Sequence, residues 1–225
     1  MAHDPFLHRL RGLDICDLSD AIDALGLTPA VTGLVLTSGA GENGARPIAG
    51  RAVTVKIGAG PSPPGVSRHL STAAVEAGGP DNVIVVEQLT GIDAAGWGGI
   101  LSRAAQHRGI AGSICDGLTR DVEEANKIGY PVYARGCTAR TARGRIHEAG
   151  CQVPIRIGDA TVTPGDYVAA DRSGCVVIAA ARIAEVLDRA EAILAKSDQM
   201  AAAVARGEPV SKVMGASYET MLERK

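Results

Sequence analysis

The sequence has few aromatic residues, no excess of charge of either sign and no long apolar run. Aromatic residues make up 3% of the 225 residues, so the core must come from the aliphatic part of a 46% hydrophobic composition. Lys and Arg number 23 against 25 Asp and Glu, and this balance argues against nucleic acid as a partner. No apolar run approaches the roughly 20 residues of a membrane helix, and the start of the chain lacks the apolar stretch of a signal peptide. The five cysteines are odd in number and widely spaced, which favours a reduced, cytoplasmic setting without membrane association.

Several common cofactor and catalytic motifs are missing as well. The segment GAGENG, Gly39 to Gly44, matches G-x-G-x-x-G, but Pro47 and Gly50 follow where a dinucleotide site needs a helix, so we expect a loop. There is no G-K-[ST] for a P-loop, no cysteine pair with zinc-site spacing and no G-x-S-x-G. Nucleotide-binding, zinc and α/β-hydrolase classes therefore have no support.

The hydrophobic pattern predicts a mixed α/β fold in one domain over residues 1–225. DLSDAIDALG has apolar residues at helical spacing, RAVTVKIG alternates like a half-buried strand, and NVIVVEQL is a continuous apolar run typical of a buried strand. Strands and helices alternate in the middle of the chain, and short strands separated by turns follow residue 150. A long helix is predicted over about 182–206, and the tail from Val213 is predicted to add one more.

Two segments carry residues suited to binding a small anion. In GWGGIL, Gly98 and Gly99 lead into a helix that begins near Ile100, and the free backbone amides of a helix start bind carboxylates and phosphates. In SICDGLTRD, Arg120 and Asp121 follow the C-terminal end of a predicted strand, where α/β folds commonly place their chemistry. A guanidinium binds a carboxylate or an oxyanion, and a carboxylate can hold a hard cation such as Mg²⁺.

These residues also have structural interpretations. Asp121, Glu123 and Glu124 stand where acids favour the dipole of the predicted helix, and Glu123 can pair with Lys127. Arg120 is unfavourable in a first helical turn, which tilts the Arg–Asp pair towards a functional role. Lone histidines and solvated basic runs are usually surface features. Acid–base or distal-carboxylate roles are therefore secondary alternatives for His69, His147, Arg135, Arg140, Arg143 and Arg145.

The segments WGGIL and DGLTRDVEEA…GYPVYARG resemble the RraA-like family, which includes the class II 4-hydroxy-4-methyl-2-oxoglutarate (HMG/CHA) aldolases that also decarboxylate oxaloacetate. LSDAIDALG is similar to the family's N-terminal helix, IAGRAVTV to its first strand and GDYVAADRSGCVVI to its late strands. The resemblance covers most of the chain. It implies a single RraA-like domain with a layered β/β/α, swivelling-domain-like fold and a long C-terminal helix.

The resemblance implies a metal-dependent lyase that acts on a 2-oxo acid through a pyruvate enolate, by retro-aldol cleavage of a 4-hydroxy-2-oxo acid or by decarboxylation of oxaloacetate. It assigns pyruvate binding and enolate stabilisation to Arg120 and a divalent cation, Mg²⁺, Mn²⁺ or another, to Asp121. The acid–base group would be a water or an acid of a neighbouring subunit. The backbone amides that would receive the pyruvate carboxylate belong to Gly98, Gly99, Ile100 and Leu101.

The family pattern differs from this chain at Gly99, where the aldolases carry an acid near the metal, a departure that bears on metal affinity and full aldolase activity. The alternative function is that of a non-catalytic, protein-binding regulator such as the ribonuclease E inhibitor RraA. That inhibitor generally lacks the acid that matches Asp121, so its presence here favours an enzyme. Family members resemble trimers or hexamers, and an apolar stripe needs a partner. We therefore expect a homotrimer or homohexamer, with the stripe formed by Ile183, Val186, Leu187, Ala190 and Leu194.

Overall fold

The computed structural model describes residues 4–41, 44–45, 47–66 and 68–215. Its centre is a nine-stranded mixed sheet. The strands of that sheet are β1 (Val35–Ser38), β4 (Ile48–Ala59), β5 (Asn82–Glu87), β6 (Ala95–Trp97), β7 (Gly112–Thr119), β8 (Val132–Cys137), β9 (Ile146–Cys151), β12 (Tyr167–Ala170) and β13 (Cys175–Ile178). Seven of them lie in the order β1, β8, β7, β5, β4, β12, β13, while β6 pairs with β7 and β9 pairs with β4.

Two short antiparallel pairs lie outside the main sheet. One joins β10 (Ile155–Ile157) to β11 (Ala160–Val162) and packs on the face of the sheet that carries Val83 and Val85. The other joins β2 (Ala40–Gly41) to β3 (Gly44–Ala45). The described part of GAGENG thus pairs with itself, and its residues 42–43 lie outside the described residues.

Seven α-helices occur in the described residues and surround the sheet. They are α1 (Pro5–Leu10), α2 (Ile15–Ala24), α3 (Thr72–Ala77), α4 (Gly99–His107), α5 (Val122–Ile128), α6 (Ile183–Ala205) and α7 (Val210–Val213). Side chains of α3 and α4 share one hydrophobic cluster with β4 and β5, whereas α1, α2 and α6 share another with β12 and β13. The predicted α/β layered fold with a long C-terminal helix is confirmed. The rest of the predicted tail helix lies outside the described residues, which end at residue 215.

The alternation in RAVTVKIG predicts one buried face, and the structure buries part of the other as well. Val53, Val55 and Ile57 are buried as expected. Thr54 is also fully buried, because the segment before β10 covers it and its hydroxyl donates to the carbonyl of Val153 at 2.6 Å. The interpretation of this strand as half-buried is therefore wrong at Thr54.

The apolar stripe of α6 is covered by the chain itself. Ile183, Val186 and Leu187 are buried together with residues of α1 and α2. The stripe alone therefore gives no reason to expect a second subunit, and the oligomer stays a prediction that rests on the family resemblance. Among the described residues, no helix combines the length and the apolar character needed to span a bilayer.

The four strands β4, β5, β7 and β8 run parallel in succession, so their carboxyl ends meet along one edge of the sheet. β7 ends at Thr119 and α5 begins at Val122, and β6 leads directly into α4. Because β6 pairs in parallel with the end of β7, the starts of α4 and α5 are brought side by side. This arrangement places the two candidate segments at one location.

Candidate active site

Arg120 and Asp121 form the connection between β7 and α5, beyond the carboxyl end of the strand. Arg120 precedes the helix, so the expectation that it occupies the first helical turn is wrong, and the dipole argument does not apply to it. Asp121 is the N-cap residue and has a φ of 58°. This left-handed conformation is uncommon for a residue other than glycine, although Asp and Asn adopt it most readily.

The Asp121 carboxylate caps a neighbouring helix instead of its own. Its Oδ2 accepts the backbone N–H of Gly99 at 3.0 Å, and it forms no side-chain cap bond within α5. Its Oδ1 lies 3.3 Å from Nε of Arg120. A negative charge is favourable at a helix N-terminus, so Asp121 stabilises the start of α4 while it holds the two segments together.

The turn before α4 is fixed through Trp97, which is almost fully buried. The Trp97 carbonyl accepts the N–H of Arg120 at 3.1 Å and the hydroxyl of Thr119 at 3.2 Å. The indole N–H donates to the hydroxyl of Ser102 at 2.9 Å. Both the backbone and the ring of Trp97 thus hold the start of α4 against the end of β7.

The start of α4 offers backbone donors to an anion. The helix begins at Gly99, and Gly98 precedes it in an extended conformation. The N–H of Gly99 is taken by Asp121, whereas those of Ile100 and Leu101 lie in the first turn, where no intrahelical acceptor exists. The four predicted residues therefore divide into two whose N–H groups have no intrahelical acceptor and two glycines at the turn.

The space beside Gly99 is occupied by Glu124. Gly99 has no positive φ, so its backbone does not require glycine. A Cβ added there would overlap the Glu124 carboxylate and would lie 3.0 Å from the Cβ of Asp121. Glu124 also forms an ion pair with Arg103 of α4. A carboxylate from α5 thus fills the place where a side chain at position 99 would begin.

All of the predicted site residues line one cavity of about 380 Å³. Arg120 and Asp121 are each a little over one-third exposed in it, at 37% and 36% of the side chain. The predicted residues that line the cavity are Gly98, Gly99, Ile100, Leu101, Arg120 and Asp121. Further walls come from the segment before α3, which includes His69, and from the segment after β8, which includes Arg143.

Arg135 forms an ion pair with the buried Asp116, which assigns it a structural role. Its Nε lies 2.6 Å from Oδ1 of Asp116, whose other carboxylate oxygen accepts the N–H of Gly158 at 2.6 Å. Asp116 is 3% exposed. Because a buried carboxylate requires such partners, Asp116 fastens the turn between β10 and β11 to the sheet, and Arg135 pairs with it outside the cavity of Arg120 and Asp121.

The basic run YARGCTARTARGR contains three further arginines, Arg140, Arg143 and Arg145, which differ in their contacts. Arg140 forms an ion pair with Asp93 at 3.4 Å, and Arg145 donates to the carbonyl of Thr141 at 3.1 Å. Arg143 lines the cavity, and within the described residues its guanidinium has no hydrogen-bond or ion-pair partner. Arg143 is therefore the member of the run that is placed to meet a ligand in this cavity.

The two histidines considered from the sequence lie in different places. His147 is on β9, with Nδ1 3.2 Å from the carbonyl of Gly60, and it does not line the cavity. His69 does line it. Burial, followed by the positive charge of Arg143, lowers the pKa of His69 below its ordinary value. The neutral imidazole is favoured, and a neutral imidazole can accept a proton.

Asp121 is the candidate for holding a divalent cation. Within the part of the chain that the structure describes, no three His, Cys, Asp or Glu side chains converge as a metal cluster. Mg²⁺ commonly keeps several waters and binds through one or two carboxylates together with substrate oxygens. The residues present therefore fit a hydrated Mg²⁺ or Mn²⁺ shared with a substrate, and not an enclosed metal site.

Comparison with known proteins places these segments in a family. A profile of the RraA-like family, described as Aldolase/RraA, matches residues 15–177. Protein DlpA of Legionella pneumophila is 29% identical over 206 residues, which are 92% of this chain and 32% of that protein. A protein of Halalkalibacterium halodurans named "Putative 4-hydroxy-4-methyl-2-oxoglutarate aldolase" is 28% identical over 187 residues, 83% of this chain and 82% of that protein. The chain thus spans about a third of the length of DlpA.

Solved structures show the same fold. An uncharacterized protein from Pseudomonas syringae has a TM-score of 0.80 at 28% identity, covering 93% of this chain and 96% of that one. RraAS2 of Streptomyces coelicolor, described as an unusual member of the RNase ES inhibitor RraA protein family, has a TM-score of 0.73 at 23% identity, with 88% and 96% covered. The profile spans most of the chain and includes both segments of the cavity, and this chain belongs to the RraA-like family.

Proposed function

We propose that this protein is a divalent-metal-dependent lyase that cleaves the C3–C4 bond of a 2-oxo acid and leaves a pyruvate enolate. The observation that carries the proposal is the convergence of Arg120, Asp121 and the start of α4 on one cavity. Relatives named as 4-hydroxy-4-methyl-2-oxoglutarate aldolases support the same reaction class. Retro-aldol cleavage of a 4-hydroxy-2-oxo acid and decarboxylation of oxaloacetate share this enolate, so one site can serve both.

The backbone donors of α4 suit the carboxylate of the pyruvyl unit. The N–H groups of Ile100 and Leu101 point out of the first turn, where the helix dipole adds attraction for an anion. Arg120, in the adjoining connection, would stabilise the negative charge that develops on the keto oxygen. Charge stabilisation of this kind, by groups already in place before the reaction, is worth several kcal/mol.

Asp121 would hold the cation, which supplies Lewis-acid polarisation of the 2-oxo group when bound. The carboxylate is anchored for this role because the N–H of Gly99 and the guanidinium of Arg120 fix its two oxygens. Its left-handed backbone, with a φ of 58°, is the kind of strained conformation that concentrates at functional sites.

Arg143 provides a second cation in the same cavity and suits the distal carboxylate of a larger substrate. It has no side-chain partner among the described residues, while Arg135, Arg140 and Arg145 are all engaged. A diacid would place one carboxylate at the start of α4 and the other at Arg143. This arrangement favours a 2-oxo diacid over pyruvate-sized substrates that carry a single carboxylate.

Metal-dependent release of pyruvate from oxaloacetate tests the proposal. Turnover should appear with Mg²⁺ or Mn²⁺, above a protein-free blank that contains the same metal, and should vanish with a chelator. Arg143→Gln should raise the KM for oxaloacetate more than it lowers kcat, while Arg108→Gln, at the far end of α4, serves as the matched control. If neither Mg²⁺ nor Mn²⁺ supports turnover, the proposed lyase function is rejected.

The second candidate is a non-catalytic regulator that binds another protein. An exposed apolar residue favours this second function: the Ile100 side chain is 76% exposed at the edge of the cavity. RraAS2 is described as belonging to an inhibitor family, but at 23% identity it shows a shared fold alone. The same exposed residue also suits a homotrimer or homohexamer with sites at subunit boundaries, and sedimentation at micromolar concentration tests this assembly. A 23.0 kDa species would reject it.

A further inference from the structure

The segment before α3 holds His69 at the cavity in an unusual way. His69, Leu70 and Thr72 all line the cavity, and Leu70 is 4% exposed. The His69 carbonyl accepts the Thr72 hydroxyl at 2.8 Å, which closes a tight local turn. The histidine therefore stands at the start of a turn that the buried Leu70 anchors.

The anchor behind this segment is Glu148 of β9. Its Oε2 accepts the N–H of Ser71 at 2.7 Å, and its Oε1 receives Arg68 at 3.1 Å. The Glu148 side chain is 11% exposed and the Arg68 side chain 55% exposed, so the sheltered, charge-assisted contact is the one with the Ser71 N–H. Glu148 thus contacts the residue on each side of the His69–Leu70 pair and does not itself line the cavity.

Ser71 is held in a conformation that costs free energy. Its φ is 64°, it is fully buried, and its hydroxyl has no hydrogen-bond partner among the described residues. Only two other described non-glycine residues have positive φ, and one of them is Asp121 of the same cavity. A buried, unpaired hydroxyl on a strained backbone persists only where the surroundings impose it, and the Glu148 carboxylate is the side chain that binds the Ser71 N–H.

The environment of the His69 imidazole ring is the next feature of this segment. Within the described residues no side chain or backbone group forms a hydrogen bond with its ring, in contrast to His147. Arg143, which lines the same cavity, disfavours the charged imidazolium. An imidazole that favours its neutral form, has no hydrogen-bond partner among the described residues and lines the candidate site can act as a general base.

We propose that His69 exchanges the proton at C3 of the pyruvyl unit and that Glu148 is the positioning residue that holds it there through Ser71. The inference rests on the proposed lyase function and deepens it. In retro-aldol cleavage, His69 takes the proton of the C4 hydroxyl while the C3–C4 electron pair becomes the enolate. The same proton then returns to C3, which gives pyruvate and a second carbonyl product without any further reactant.

The base is required in some reactions of this site and not in others. Decarboxylation of oxaloacetate releases CO₂ from C4 and needs no base, and solvent can protonate the resulting enolate. Exchange of the methyl protons of pyruvate in D₂O does need one, because a C–H proton must be removed. The two reactions share binding and enolate stabilisation, so comparing them isolates the base.

The experiment measures both reactions with Mg²⁺ or Mn²⁺ for the wild type, His69→Asn and the control His107→Asn, whose residue is exposed at the end of α4. Removal of a general base costs about 100-fold or more. In His69→Asn, proton exchange should fall by at least that factor, and decarboxylation by less than about tenfold. The control should match the wild type in both reactions.

The positioning role has its own test. Glu148→Ala should lower the ratio of the exchange rate to the decarboxylation rate by about tenfold. His69→Asn should change the same ratio in the same direction. Glu148→Gln keeps a carbonyl oxygen for the Ser71 N–H and should restore most of the lost ratio. An exposed acid on α3, Glu76→Ala, is the matched control. If Glu148 were purely structural, its substitution would lower the rates of both reactions equally.

Each outcome decides between the two proposals. Exchange that persists in His69→Asn, or an equal fall of both reactions, would overturn the role of His69. A wild type that decarboxylates oxaloacetate but exchanges no pyruvate protons would also reject this inference while it leaves the lyase intact. A wild type that does neither would reject the proposed function, and the present inference with it.

Discussion

Asp121→Asn separates the structural and chemical roles of the residue that links the two helices of the candidate site. The asparagine keeps a carbonyl oxygen that can accept the N–H of Gly99, so the cap of α4 is retained. It also tolerates the left-handed backbone, with its φ of 58°. The negative charge is what the substitution removes.

The expected loss of stability is small and the expected loss of activity is large. A charge at a helix N-terminus contributes about 0.3–1 kcal/mol, which for a domain of this size corresponds to a fall in Tm of no more than about 4 °C. A bound cation that polarises the substrate supplies several kcal/mol. If 3 kcal/mol of that is lost, metal-dependent turnover should fall by roughly 100-fold.

Both quantities can be measured on the same preparation, by thermal unfolding and by pyruvate release from oxaloacetate with Mg²⁺. Asp159→Asn is the control, because the Asp159 side chain is fully exposed. Asp121→Ala should lower the unfolding free energy further, by about 1 kcal/mol, since it also removes the cap. Wild-type turnover in Asp121→Asn would show that Asp121 caps α4 and has no part in the chemistry.

Three further predictions concern single positions. Arg120→Lys should lose most lyase turnover in steady-state kinetics although the charge is kept, because a point charge does not replace the planar guanidinium; an unchanged rate would make Arg120 a surface residue. Gly99→Asp should destabilise the protein in a melting experiment because its side chain meets the Glu124 carboxylate, and adding Glu124→Ala should recover the loss if that contact is the cause. Burial and the neighbouring Asp14 raise the pKa of Asp17 to about 6, so the folded state binds this proton more tightly than the unfolded state. Asp17→Asn should therefore raise Tm at pH 7.5, and the gain should shrink as the pH falls below 6 and vanish near pH 4.

The elements that the sequence predicts well are those in which one local pattern determines the outcome. The apolar run of NVIVVEQL gives β5 at Asn82–Glu87, and the long periodic stretch gives α6 at Ile183–Ala205. A strand, a turn and a helix around Arg120 are also predicted, but the predicted helix begins too early, because β7 runs on to Thr119 and α5 begins at Val122. Burial of Thr54 is missed, because it depends on a segment about one hundred residues away.

The parts of the site that the sequence does not reveal depend on contacts between distant segments. In the sequence Asp121 suits the start of its own helix, yet it caps α4, whose first residue, Gly99, precedes it by 22 residues. The basic run gives no reason to prefer Arg143, since its distinction is that the other arginines find partners elsewhere in the fold. His69 is a lone histidine in the sequence, and its position becomes meaningful once Glu148 and Ser71 are seen to hold it.

The glycine at position 99, where the aldolases carry an acid, can be interpreted through its neighbour Glu124. An acid is present beside Gly99, but it comes from α5, and Arg103 neutralises much of its charge. Asp121 likewise has Arg120 at 3.3 Å. Each carboxylate near the candidate cation position is therefore paired with a guanidinium, which weakens its attraction for a free cation.

A cation at this site should consequently bind weakly alone and more tightly with a 2-oxo acid, which adds two oxygens and a negative charge. Calorimetric titration of Mg²⁺ with and without saturating pyruvate measures this coupling. We expect at least a tenfold tighter Kd in the presence of pyruvate, about 1.4 kcal/mol, and by linkage the same factor for pyruvate in the presence of Mg²⁺. Arg103→Gln, which removes the cation paired with Glu124, should tighten Mg²⁺ binding without pyruvate. Equal Mg²⁺ affinity with and without pyruvate would mean that Asp121 and the start of α4 do not share one ligand, and the arrangement of the cavity would then need another explanation.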